Sequence, residues 1–206
     1  IDRLLLRAPA HVADPLSLVR AQWKQTFRGE EYNSGSFSYP MYVAVRDNVP
    51  GFASAAMYTH PNPLSLGLGA EAKQVKHALV SGNYFQTLGT RTVLGRPILP
   101  ADDVLPSGSA VVVIGHGLWQ REFGADPGVI GSSILLAGGS YTVIGVAPEG
   151  FVGTWGMPVD VWIPVSAAEG LRFAGEDWAT NTHSSWLTVV GRLKPGVTPA
   201  VAGLQL

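Results

Sequence analysis

The chain has 206 residues, enough for one large domain or two small ones, and 46% of them are hydrophobic, which argues against disorder. A formal net charge of −1 argues against nucleic acid as a main partner, since phosphate binding needs an excess of Lys and Arg on one face. The absence of cysteine excludes disulfides, thiolate zinc and a Cys nucleophile, and it fits an oxidising compartment.

In chain order, the 25 glycines and 15 prolines predict short elements joined by turns. Residues 16–27 alternate as a strand, and "EEYNSGS", 30–36, reads as a polar loop. "SYPMYVAVRDN" reads as a helix with Ser38 as its cap, Pro40 in the first turn and Tyr42, Val43 and Val45 on one face. Strands follow near 52–59, 64–69 and 71–80; the last also has a helical periodicity, with Ala72, Val75 and Leu79 on one face, but its alternation and the following Ser-Gly favour a strand. "SGNYFQTLG" predicts a short helix that ends at Gly89, where a positive φ is wanted. "ADD", 101–103, falls in a surface loop; 109–115 is a buried strand; and "HGLWQREFG" is a short helix with Trp119 and Phe123 four apart, closed by Gly124. "SSILLAGGSYTVIGVAP" predicts a hairpin turning at Gly138-Gly139. Residues 160–165 and "SSWLTVVGRLKPG" give the last strands, and Pro199 opens a final helix. The sum is an α+β domain with little regular βα alternation.

The stretch "LVSGNYFQTLGTRTVLGRPI", 79–98, sets Gly82, Gly89 and Gly95 near Arg91 and Arg96 and so raises the question of a phosphate cradle. No Gly-Lys pair exists anywhere, so the P-loop pattern is absent. A dinucleotide-type match at Gly67, Gly69 and Ala72 lacks both the following helix and an acidic residue about 20 positions on. The three glycines therefore read as local punctuation: a strand-to-helix turn, a helix end and a turn before Arg96.

No zincin or nucleophile-elbow motif is present. His11, His60, His77, His116 and His183 show no metal-ligand spacing, and His116 reads as a helix-start histidine rather than part of an oxyanion loop. Asp102 and Asp103 could serve acid/base or cation chemistry, but a solvated turn accounts for them more simply. These patterns assign no catalytic, cofactor-binding or metal-ligating residue. Of six tryptophans, Trp119 and Trp162 sit in apolar elements and read as core, whereas Trp155 and Trp178, in Gly-rich or polar loops, are the candidates for a partner or ligand contact.

One ordered series carries a family resemblance. "SYPMYVAVRD", "VSGNYFQTLGTRTVLGRPILPADD", "AVVVIGHGLWQREFGADPGVIGSSILLAGGSYTVIGVAPEGF", "DVWIPV" and "VGRLKPGV" span residues 38–196. Together they resemble the MacB-like periplasmic core domain of ABC-transporter permeases, the FtsX-like class. The resemblance implies a porter-like βαβ-type α+β unit, 1–80 plus 184–206, with its C-terminal part cut short, and an inserted β-rich, sabre-like unit, 81–183. It implies a non-catalytic domain without cofactors, on the periplasmic face of the bacterial inner membrane, that passes ATP-driven motion to periplasmic partners or substrate in efflux or in lipoprotein or peptide export. The implied partners are the membrane-embedded remainder of the permease, its dimer mate, a cytoplasmic ATPase and a periplasmic adaptor.

The start at Ile1 and the stop in "TPAVAGLQL" read as a segment of a longer chain, with an exposed apolar edge where the porter-like unit is cut. "RGEEYNSGSFSYP" and "RFAGEDWATNTHSSW" are the loops expected to vary. Two other readings remain open: a stand-alone ligand-binding module that uses the loop tryptophans, and a secreted hydrolase centred on His116 or on Asp102 and Asp103.

Overall fold

A computed structural model describes residues 2–3, 9–106, 108–167 and 177–203. Its strands are β1 (Asp2–Arg3), β2 (Leu18–Arg20), β3 (Trp23–Phe27), β4 (Glu30–Ser34), β5 (Phe52–Tyr58), β6 (Asn62–Leu66), β7 (Lys73–Val80), β8 (Leu94–Gly95), β9 (Val111–Ile114), β10 (Ser133–Leu136), β11 (Gly139–Val146), β12 (Val161–Pro164) and β13 (Thr188–Leu193). The helices are α1 (Tyr39–Asn48), α2 (Tyr84–Leu88), α3 (His116–Phe123) and α4 (Pro199–Gly203). This is the mixed α+β architecture that the pattern of short elements predicts.

Hydrogen bonding orders the main sheet β1-β2-β13-β5-β7-β12-β9-β11-β10-β6, with β8 on the side of β11. The path returns on itself, because β6 also pairs with β7 from Asn62↔His77 to Leu66↔Lys73. At the closure, Gly67 N–H donates to Leu135 O and Ala137 N–H to Ser65 O, both at 2.9 Å. The strands from β7 round to β6 thus form a closed ring, while β1, β2, β13 and β5 form an open sheet beside it. β7 belongs to both. Its whole second half pairs in parallel with β12, and its last residue, Val80, pairs with Tyr58 of β5. Closure leaves the ring strands without free edges.

The core explains this arrangement. The last four residues of β7 and all four of β12 are buried, which marks strands covered on both faces. On one face Val161 and Ile163 join a cluster with Leu79, Met57 and the α1 residues Tyr42 and Val45. On the other, Trp162 joins Val80, Phe85 and Phe151. Phe151 and Trp162 lie 5.2 Å apart between ring centroids, and Phe85 meets Trp162 edge-on at 5.9 Å. Short helices are thereby fixed by burial, since helices of this length have little stability alone. The ends follow the expected chemistry: Ser38 Oγ accepts from Met41 N–H, and Gly89 and Gly124 take φ of +67° and +58°.

Several expectations need correction. Residues 16–27 are not one strand: β2 joins the main sheet, and β3 leaves it to pair with β4. Residues 30–34 are strand rather than loop, in a hairpin turned by Arg28 and Gly29 at φ +54° and +85°. β4 is largely exposed, so no apolar alternation betrays it. Gly95 is not simply in a turn: it pairs with Gly145 of β11, where a Cβ would run into the Ile144 carbonyl. The apolar edge expected where the porter-like unit is cut belongs to the C-terminal end, where residues 204–206 lie outside those described.

The β10–β11 hairpin turns one residue earlier than expected. Leu136 faces Gly139, so the turn residues are Ala137 and Gly138, both at positive φ, +48° and +87°. Two positive φ values define a type I′ turn, in which Asn-Gly is strongly favoured and Ala is strained. Ala137→Asn should therefore raise stability by roughly 0.5–1 kcal/mol in urea unfolding. An unchanged or lower midpoint would contradict this reading of the turn.

Candidate contact surface

The carboxylates that looked most like chemistry are built into the backbone. Asp102 is buried, ends a short 3₁₀ turn and holds Arg96 through two bonds, 2.6 Å to Nη1 and 2.9 Å to Nη2. Its Oδ2 also accepts from Leu99 N–H at 2.9 Å. The Arg96 guanidinium holds the Asp102 carboxyl below the usual range, against the upward push of burial, with help from the Leu99 amide. Asp103 accepts from Gly82 N–H at 2.8 Å with one oxygen and from Ser166 N–H at 2.9 Å with the other. Neither the surface loop nor the solvated turn expected for 101–103 is correct, and the two side chains do not converge on a common site. Gly82 is required by the same packing: a Cβ there would lie 2.6 Å from Pro100 Cα.

The histidines are dispersed. His11 Nε2 contacts Glu149 O at 2.8 Å, and His116 opens α3 with its ring 5.5 Å from that of Trp119. Among the described residues no group of three or more metal-ligating side chains converges.

The two candidate tryptophans part company. Trp178 is 1% exposed and packs edge-on against Tyr39 and Trp186, at 5.1 and 5.9 Å. It is core, and its polar neighbours in sequence concealed this; residues 172–176, the start of the loop expected to vary, lie outside those described. Trp155 is half-buried in a loop with Gly153 and Gly156 at positive φ. The Arg20 guanidinium lies over its ring, 4.6 Å from the centroid, and His60 meets it edge-on at 3.7 Å. Together with the β3–β4 hairpin and Thr188 they line a cleft of about 340 Å³. Arg20 and His60 went unnoticed in the sequence. They are far apart in it, and only the pairing of β2 and β5 with β13 brings them together.

His60 faces a second, smaller cavity shared with His77, Asn62 and Trp186. Burial lowers the pKa of both histidines, and the charge of Arg20 adds to this at His60, while the Asn62 carbonyl, 2.8 Å from His77 Nδ1, partly opposes it. The unfolded chain, with ordinary His values near 6.5, binds protons at higher pH than the folded one. Folding stability should thus be full above about pH 7 and fall as pH drops through about 6.5 toward 5. Urea unfolding at both ends of this window checks it, and His77→Gln should flatten the slope. A stability that is flat or rises on acidification over that interval would contradict it.

Comparison with known proteins agrees with this picture. The MacB-like periplasmic core domain family matches residues 9–205. No curated protein matches the sequence. Three solved structures share the fold at low identity. The periplasmic region of MacB from Actinobacillus actinomycetemcomitans has TM-score 0.63 and 16% identity, over 82% of this chain and 70% of that one. A domain of a putative permease protein from Porphyromonas gingivalis has TM-score 0.59 and 18% identity, over 89% and 73%. The extracellular domain of the noncanonic ABC-type transporter YknZ from Gram-positive bacteria has TM-score 0.63 and 14% identity, over 87% and 84%. With nearly its whole length matched, this chain belongs to the MacB-like periplasmic core domain family.

Proposed function

We propose that the chain works without catalysis as the extracytoplasmic part of an ABC-transporter permease, and that it passes ATP-driven conformational change to periplasmic partners or substrate. The observation that carries this is the family match over residues 9–205, joined by a fold shared with a MacB periplasmic region and the YknZ extracellular domain. The transport step is efflux or the export of lipoproteins or peptides. Its partners are the membrane-embedded remainder of the permease, the dimer mate, a cytoplasmic ATPase and a periplasmic adaptor, and its place is the outer face of the inner membrane. In this reading the chain divides into a porter-like unit, 1–80 plus 184–206, and a sabre-like insert, 81–183. The 79–98 stretch leads from one into the other.

The geometry suits such a role. A ring joined to an open sheet through β7 transmits force through backbone hydrogen bonds rather than a flexible linker. No helix among the described residues is long and apolar enough to cross a membrane.

The chain has no cysteine, so single-site labelling is clean within it. In the full-length protein, cleared of other cysteines, Leu68→Cys sits at a position 62% exposed. It should react with a membrane-impermeant maleimide from outside intact spheroplasts. A spin label at Leu135→Cys should report a distance between the two copies that changes between nucleotide-free and ATP-bound transporter. Labelling only from the cytoplasmic side, or distances indifferent to ATP, would overturn the proposal.

A further inference from the structure

Arg192 of β13 joins parts of the chain that lie far apart in sequence. Its Nε donates to Thr87 O of α2 at 2.8 Å, Nη1 to Ser17 Oγ at 2.7 Å and to Asp14 O at 3.2 Å, and Nη2 to Ala13 O at 2.7 Å. The segment it holds, residues 9–17, runs across the end of α2 before the chain enters β2. Further bonds tie this segment down. Ala13 N–H donates to Leu88 O and Thr90 Oγ1 to His11 O, both at 2.9 Å, and His11 Nε2 contacts Glu149 O at 2.8 Å. Gly89 leaves room for it, since a Cβ there would lie 2.5 Å from Ala13 Cβ. Burial contributes little: none of residues 9–17 is buried, and Leu16 is 78% exposed. The backbone is strained as well, with φ of +61° at His11 and +40° at Asp14, in the region that side chains disfavour. A segment held by hydrogen bonds on a strained backbone, with few buried side chains, belongs to the part of a fold that opens first.

We propose that residues 9–17 form a releasable strap, with Arg192 as its fastening, that opens as one unit while the ring stays folded. The strap continues into β2 of the open sheet, and Arg192 reaches it from β13 of the same sheet. α2, Thr90 and Glu149 belong to the proposed sabre-like insert, so the strap fastens one proposed unit to the other. Movement that draws the end of α2 away from β13 must first break the Arg192 bonds, and the strained backbone favours release once they are broken. The Ala13 and Asp14 carbonyls lie at exposed residues, so water takes the place of the lost donors. At its start α2 stays tied to β5, where Asn83 Nδ2 donates to Ala55 O at 2.8 Å. Opening therefore frees one end of α2 and leaves the other as a pivot. This deepens the force-transmission reading and rests on its division into two units.

The test is hydrogen exchange on the 206-residue chain. It needs no transporter, so the strap and the transport reading can fail separately. Ala13 and Ser17 N–H should be protected and should exchange through one shared opening that low urea hardly changes. Val143 and Ala147 N–H, which donate to Ser132 O and Ile114 O in the ring, should exchange through an opening that urea strongly promotes. Arg192→Lys keeps the charge but loses the fork that reaches several acceptors, and it should speed exchange at Ala13 and Ser17 about tenfold or more. Ile163→Val, in the buried strand β12, should speed exchange at Val143 and Ala147 severalfold and leave Ala13 and Ser17 unchanged, because the strap opens without the ring. Unprotected strap amides, strap amides that follow the ring in urea or in Ile163→Val, or unchanged strap exchange in a folded Arg192→Lys variant would each overturn the proposal. Where Arg192→Lys does not fold, the urea dependence and the Ile163→Val comparison decide.

Discussion

One carboxylate ties together the ends of two parallel strands. β7 and β12 run side by side from His77↔Val161 to Val80↔Pro164. The backbone amides just beyond each, Gly82 and Ser166, donate to the two oxygens of Asp103. Parallel strands cannot be joined by a tight hairpin, so the chain itself does not tie their ends together. Here a charged acceptor ties them, and it binds amide N–H groups more strongly than a neutral one does. The neighbouring carboxylate anchors the turn that presents it, through Arg96 and the Leu99 amide. Since β7 is also the strand shared by the closed ring and the open sheet, Asp103 acts where the two meet. Gly82 can approach Pro100 there only because it has no side chain.

This changes the meaning of the glycine-and-arginine stretch at 79–98. Its arrangement resembles an anion cradle because it is one in miniature, and the anion is supplied from within the chain. Arg96 meets Asp102, and the Gly82 amide meets Asp103. Asp160 follows the same pattern, accepting from the Lys76 amide and from Arg121. The carboxylates that a search for catalysis would single out are thus occupied in holding strands and helices together. That fits the non-catalytic role proposed for this domain.

Much of the fold was legible because local chemistry and burial agree. Ser38 and Pro40 open α1, Gly89 and Gly124 close α2 and α3, and the apolar runs at β7, β9, β11 and β12 are buried strands. What escaped notice depends on distant partners or lacks a hydrophobic signal. β4 is a strand that buries almost nothing, so its sequence reads as loop. Trp178 lies among polar residues yet is covered by Tyr39 and Trp186. Asp102 and Asp103 look like a solvated turn, because the amides and guanidinium that bind them lie 3 to 63 residues away. The Trp155 cleft was half legible: the tryptophan stood out, but Arg20 and His60 join it only through the sheet.

The account rests on Asp103 tying the ends of β7 and β12 together, and hydrogen exchange on an Asp103→Ala variant tests it most directly. Removing the acceptor leaves two amides unpaired, a loss of about 2 kcal/mol at the usual cost of an unsatisfied donor. Exchange at Gly82 and Ser166 should speed up together, the ends of β7 and β12 should lose protection, and overall stability should fall by about that amount. Unchanged stability, with both amides still protected, would contradict the claim that this carboxylate ties the ends of β7 and β12 together.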